Sequence, residues 1–184
     1  MNAPVFTPGG RVDETKPITP VRIAVLTVSD SRTEETDTSG KLLAERVTGA
    51  GHVLAEKVIV ADDVARIREQ VKAWVASRSV DAIVTTGGTG ITGRDVTPEA
   101  LQPLFDKTLD GFSVIFHMVS YATVGLSTLQ SRATAGIIDG VFVFCLPGSN
   151  GAVKDGWDKV ISAQLDSRHG PCNMVELMPR LLEA

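Results

Sequence analysis

The sequence predicts an α/β protein of three layers, α/β/α, around a mostly parallel sheet with one antiparallel strand. Three observations carry that expectation. Short β-branched apolar runs alternate with stretches of helical periodicity, the order of parallel strands joined by crossover helices. Runs such as RIAVLTV have almost no polar alternation, as strands covered on both faces require. Late in the chain two apolar runs are joined by Asp139-Gly140, a tight-hairpin signal, so one strand runs against the rest.

Residues 1–20, MNAPVFTPGGRVDETKPITP, mix charges with prolines and have no continuous apolar core, so they are not a secretory signal. They read as an arm, mobile, draped over the domain or packed on a neighbouring subunit. Residues 22–30, RIAVLTVSD, are the first buried strand. A polar loop leads to a helix over 39–48, striped by Leu42, Leu43 and Val47 and stopped by Gly49-Ala50-Gly51. HVLAEKVIV, 52–60, is the second strand. Asp62 and Asp63 stand where a cap and a first-turn acid belong, opening a helix over 63–77. VDAIVTTG, 80–87, is the third strand. Thr97-Pro98-Glu99 then supplies a cap, a proline at the first helical position and an acid. A longer helix covers 111–123, the hairpin strands 135–138 and 141–146, and a last helix 150–164. Residues 21–175 thus form one domain, followed by a short tail, 176–184.

A chain of 184 residues, 43% hydrophobic and 22% charged, suits one soluble domain with its own core. Its net charge of -4 argues against nucleic acid and anionic membrane as partners. No apolar run in the sequence approaches the roughly 20 residues that span a bilayer. Cys145 and Cys172 lack CxxC spacing and nearby histidines, and read as buried thiols of a reducing cytoplasm. His52, His117 and His169 are isolated and read as structural or surface residues. Trp74 and Trp157 read as packing against the sheet.

Chemistry concentrates after the third strand, in VTTGGTGITGRDVTPEAL. Gly87, Gly88, Gly90 and Gly93 are more glycines than a tight turn requires, although a turn without ligand is the competing reading. The stretch 88–93 matches GxGxxG, but the helix start waits until Thr97, and the motif follows the third strand rather than the first. That places a nicotinamide enzyme behind other readings. No Gly-Lys-Ser or Gly-Lys-Thr occurs, which excludes a P-loop. Glycines at the carboxyl end of a parallel strand let backbone N–H groups turn toward an anion, and Thr85, Thr86 and Thr89 add hydroxyls. Asp30, Asp62 and Asp95 each follow a strand end. Each alone reads as a cap. Three beside an anion nest point to a divalent cation, since Mg²⁺ takes one or two carboxylates plus phosphate oxygens and water.

VSDSR, GGTGITGRDVTPEAL and LPGS, with residues 111–136 and SAQLDSRHGPCN at 162–173, resemble the MoaB/MogA molybdopterin-binding family over about residues 20–175. The resemblance implies a three-layer α/β domain assembled as a trimer or hexamer. It implies binding of molybdopterin and its adenylylation with Mg-ATP, releasing pyrophosphate ahead of molybdate insertion. The other member type is a non-catalytic trimeric carrier of molybdopterin. Asp95-Val96-Thr97 is kept as in adenylylating members, whereas Ala61 stands where they commonly carry proline. Position by position, the resemblance makes Asp62 and Asp95 catalytic and metal-holding. It assigns ligand binding to Thr86, Gly87, Gly88, Thr89 and Gly90. Ser29, Asp30, Thr97, Pro98, Glu99, Ser131, Arg132, Pro147, Gly148 and Ser149 complete that set. Asp30 has two readings, a ribose contact or a cap, and Arg94 has two, an ion-pair partner or a phosphate contact. Contact with molybdopterin synthase or the molybdate-insertion enzyme, in the cytoplasm, is the further expectation.

Overall fold

The computed structural model describes residues 9–183. In chain order its elements are β1 (Arg11–Val12), β2 (Arg22–Val28), α1 (Thr38–Gly49), β3 (Val53–Val60), α2 (Val64–Ser77), β4 (Ala82–Thr86), α3 (Thr97–Leu101), β5 (Lys107–Thr108), α4 (Asp110–Val124), β6 (Thr134–Ile138), β7 (Val141–Leu146), α5 (Asn150–Gly156), α6 (Ser162–Leu165), β8 (His169–Gly170) and α7 (Met174–Leu177). The central sheet has the order β3-β2-β4-β7-β6-β5. β2 pairs in parallel with β3 and β4, and β4 with β7, while β6 is antiparallel to both β7 and β5. Only β6 therefore runs against the others, as the Asp139-Gly140 turn dictates.

The period-two geometry of a strand explains the three layers. Ile23 and Val25 of β2, with Phe142, Phe144 and Leu146 of β7, face one core, shared with Leu43, Val47, Phe112, Phe116, Val153 and Trp157 of the helical side. Ala24, Leu26 and Val28, with Val141, Val143 and Cys145, face the other, which is closed by Ile67, Val71 and Trp74 of α2 and Ala100 and Leu101 of α3. Both faces of one strand are apolar because both are covered.

Caps set the helix starts. The Asp37 side chain, wholly buried, accepts from the Gly40 N–H at 2.9 Å and from the Thr27 hydroxyl at 2.8 Å, so α1 begins at Thr38. Asp63 caps α2 by accepting from the Arg66 N–H, which frees Asp62 for the sheet edge.

Several expectations change in detail. β4 covers 82–86, shorter than 80–87. The helix expected over 150–164 is interrupted by a wide turn, Trp157–Ile161, and it is not the last helix, because α7 follows. The second half of the arm is tied down: β1 pairs with β8, and the Thr19 N–H donates to Ser167 Oγ at 2.8 Å. Residues 1–8, the rest of that arm, lie outside the described residues. The tail folds back, Leu182 standing 3.1 Å from where a Cβ on Gly140 would be. Cys145 is buried, which pushes its thiol up to about 12, but Cys172 is exposed, contrary to the expected burial of both. The helical stretch Asp110–Gln130, 21 residues with mean hydropathy 1.4, matches a membrane span by length and composition only, since α4 itself has 15 residues and ends at Gly125, φ +62°, before a separate 3₁₀ turn. It is two-sided here: Phe112 and Phe116 enter the core, while Val114, Met118 and Tyr121 are exposed.

His52, 6% exposed, accepts the Val21 N–H at its Nδ1 and meets the Trp157 ring edge-on. Burial holds its imidazole below its ordinary value, with Asp166 opposing. The unfolded chain therefore takes the proton first. The stability His52 contributes is complete above about pH 6.5 and is lost as pH falls through the depressed folded value. Thermal unfolding followed across that range should show a falling midpoint, and His52→Gln should flatten the slope.

Candidate functional site

Strand polarity gathers the site. β2, β3, β4 and β7 all end at one edge of the sheet, and antiparallel β6 begins there, Thr134 standing opposite Cys145. Loops of open α/β sheets at this edge are the usual ligand-binding place. The segments holding Ser29-Asp30, Asp62, residues 87–95, residues 131–132 and residues 147–149 thus converge.

The glycine loop is held by its carbonyls. The Thr97 hydroxyl donates to Gly87 O at 2.9 Å, and the Thr97 N–H to Gly88 O at 2.9 Å. The Arg132 N–H donates to Thr89 O at 2.9 Å, and Arg132 Nε to Gly90 O at 2.7 Å. Four consecutive carbonyls are consumed by the protein beneath them. Among the described residues no acceptor meets the N–H groups of Gly88 and Thr89, and the Thr89 hydroxyl, 1% exposed, also has no partner. A loop with carbonyls turned in and donors to spare is an anion cradle. Gly87 and Gly88 reach this shape at φ of +103° and +66°.

A cavity of about 370 Å³ opens over the loop, lined by Gly87 to Gly90, Asp95, Ser131 and Pro147 to Ser149, with Ser127 and Gln130 completing it. Ser149 also caps α5, its hydroxyl accepting from the Ala152 N–H. Ser127 and Gln130 had no assigned role in the sequence. They sit on the 3₁₀ turn Gly125–Gln130, which no helical or strand periodicity marks.

Acids stand at the lip. Asp62 and Asp30 hold each other: the Asp30 N–H donates to Asp62 Oδ2 at 2.9 Å, and the Asp62 N–H to Asp30 Oδ1 at 3.1 Å. Asp62 Oδ1 lies 3.2 Å from where a Cβ on Gly88 would be, and Asp95 Oδ2 lies 2.6 Å from the same place on Gly90. Burial holds the Asp62 carboxyl above the usual carboxylate range, against the bond from the Asp30 N–H; the charges of Asp30 and Asp95 add to the rise. The Thr92 hydroxyl holds Asp95 below that range. Among the described residues no three His, Cys, Asp or Glu side chains gather to hold a metal by themselves. One or two carboxylates completed by ligand phosphate and water is the Mg²⁺ pattern, and Asp62 and Asp95 beside an open nest fit it.

Other expected residues take supporting places. Thr97 and Pro98 are buried beneath the loop. Thr86 is buried and donates to Pro147 O at 3.2 Å, joining the β4 and β7 ends. Glu99 pairs with Arg132, whose Nη2 also donates to Asp95 O at 2.8 Å, so this pair braces the loop from below. Ser29 Oγ accepts from the N–H groups of Ser31 and Arg32 and shapes its own turn. His117, read as ordinary, sits between Ser113 O at 2.6 Å and Ser131 O at 3.0 Å, and the tautomer sets which carbonyl its ring N–H reaches, beside the turn that carries Ser131 into the cavity.

Comparison with known proteins follows the same outline. Residues 24–167 match the family model described as the probable molybdopterin binding domain. The chain is 49% identical over 154 residues to molybdenum cofactor biosynthesis protein B of Escherichia coli (strain K12), covering 84% of this chain and 91% of that one. A solved structure of a molybdenum cofactor biosynthesis protein B aligns with a TM-score of 0.79 at 45% identity, covering 82% of this chain and 94% of that one. The tungsten cofactor synthesizing protein MoaB from Pyrococcus furiosus aligns with a TM-score of 0.67 at 42% identity, covering 76% and 89%.

Proposed function

The chain belongs to the molybdopterin-binding domain family of molybdenum cofactor biosynthesis, and on that premise we propose that it binds molybdopterin and adenylylates it with Mg-ATP, releasing pyrophosphate. The observation that carries this reading is the cradle with every carbonyl turned in, lipped by two carboxylates. The terminal phosphate of molybdopterin is already an anion near neutral pH, so no strong base is required. The obstacle is repulsion between two polyanions, and positioning with oriented donors is the remedy.

The N–H groups of Gly88 and Thr89 and the Thr89 hydroxyl are placed to steady phosphate oxygens. Asp62 and Asp95 would hold Mg²⁺, which when bound supplies the positive charge between the carboxylates and the phosphates. Arg132 and Glu99 keep the loop open from below. Pro147, Gly148 and Ser149 form the far wall.

We further propose assembly as a trimer or a pair of trimers. Val114, Met118, Tyr121, Leu126 and Leu129 are 45–75% exposed on α4 and the following turn, an apolar patch of the kind that marks interfaces. Ser127 and Gln130 share that turn, so a second copy would border the cavity. Sedimentation reporting a single-chain mass would remove this part of the reading.

Incubating the protein with molybdopterin, Mg²⁺ and ATP and assaying pyrophosphate tests the activity. Release that requires molybdopterin supports the enzyme. Molybdopterin binding without release identifies a carrier instead.

A further inference from the structure

Arg94 stands apart from the other arginine at this edge. Arg132 is spent on Gly90 O, Asp95 O and Glu99. Arg94 makes two bonds to a single oxygen: its Nε and Nη2 donate to Asp30 Oδ2 at 2.9 and 2.6 Å. A guanidinium carries five N–H donors in a planar fork, so most of this one is uncommitted. Both partners face solvent, at 67% and 44% side-chain exposure. An ion pair this exposed is screened by water and opens cheaply. The loop that carries it also stands clear of the body: Ile91 is 68% exposed, and a Cβ on Gly93 would meet nothing within 4 Å.

The surroundings explain why it rests there. Asp30, Asp62 and Asp63 all act on this guanidinium, and Asp30 is bonded to Asp62, whose Oδ1 borders Gly88. Without another cation these acids repel one another and any polyphosphate brought to the cradle. A divalent ion at Asp62 removes that need for a guanidinium and brings phosphate oxygens whose geometry suits its fork.

We infer that Arg94 is a polyphosphate-binding residue latched on Asp30, which moves to the nucleotide's phosphates when a divalent cation takes its place beside the acids. This rests on the adenylyl-transfer reading of the same edge. Arg94 then serves both states: counter-ion before loading, phosphate clamp afterwards.

The test uses the full chain and Arg94→Gln, each titrated calorimetrically with Mn²⁺ alone, then with a non-hydrolysable ATP analogue in saturating Mn²⁺. Loss of the competing cation should tighten Mn²⁺ binding to the variant about two- to five-fold. Loss of charge-assisted bonds should weaken analogue binding about 10-fold or more, with Arg94→Lys recovering part of it. Analogue affinity equal to that of the wild type, or Mn²⁺ affinity that does not rise, overturns the inference and leaves a surface ion pair. A wild-type chain that binds neither Mn²⁺ nor the analogue overturns the adenylyl-transfer reading itself, and the role of Arg94 with it.

Discussion

Asp62→Asn should lower pyrophosphate release by about 10²-fold or more while leaving molybdopterin affinity within a few-fold. Asparagine keeps an oxygen for the Asp30 N–H, so the turn survives and only the charge is removed. The same variant should melt at a higher temperature than the wild type. Burial already penalises the ionised Asp62 carboxyl, and near neutral pH that charge costs the folded state stability. Lost activity with gained stability distinguishes a functional carboxylate from a structural one. Asp95→Asn should lose activity comparably, but its stability should hold or fall. Asp95 is bonded to the Thr92 N–H and hydroxyl at 2.9 and 2.6 Å and contributes to the loop in its ionised form. Retained transfer in both variants would remove the metal assignment.

Gly88→Ala should abolish phosphate binding without unfolding the domain. At φ +66° an alanine is strained by about 1–2 kcal/mol. Its Cβ would also stand 2.4 Å from Thr97 Oγ1 and 3.2 Å from Asp62 Oδ1. Thr97 would have to release Gly87 O, and the inward set of carbonyls would turn out, replacing donors with acceptors in the cradle. Affinity for an ATP analogue should fall by about 10²-fold, the scale of losing an oriented anion donor. Gly93→Ala is the matched control: it has open space on every side and no positive φ, and should bind as the wild type does. Calorimetry that returns equal losses for the two variants would contradict the cradle.

The one antiparallel strand and the converging aspartates were legible because they follow from local pattern, whereas the sheet order β3-β2-β4-β7-β6-β5 is set by tertiary pairing and was not. Parallel strands must end together, so Asp30, Asp62 and residues 87–95 could be placed at one edge from strand ends alone. Arg132 and Glu99 entered the expected set only through the family resemblance, and the bracing of the loop by this pair was not legible. It depends on the register that sets Thr134 opposite Cys145 and so brings Arg132 under Thr89. Thr97 reads in sequence as a helix start, and its burial beneath Gly87 and Gly88 is a tertiary fact. Ser127 and Gln130 lie on a 3₁₀ turn, where apolar spacing carries no signal. The β1–β8 ribbon joins chain ends far apart in sequence through two residues each, too few to show a pattern.

The measurement that bears most directly on the carboxylate-lipped cradle is calorimetric titration with a non-hydrolysable ATP analogue, once with Mg²⁺ and once with the ion chelated. Because Asp62 and Asp95 border Gly88 and Gly90, binding should be clear with Mg²⁺ and weaker by about 10-fold or more without it. Equal affinity in both solutions would mean that the acids and the phosphates do not share a cation, and the account would be wrong at its centre.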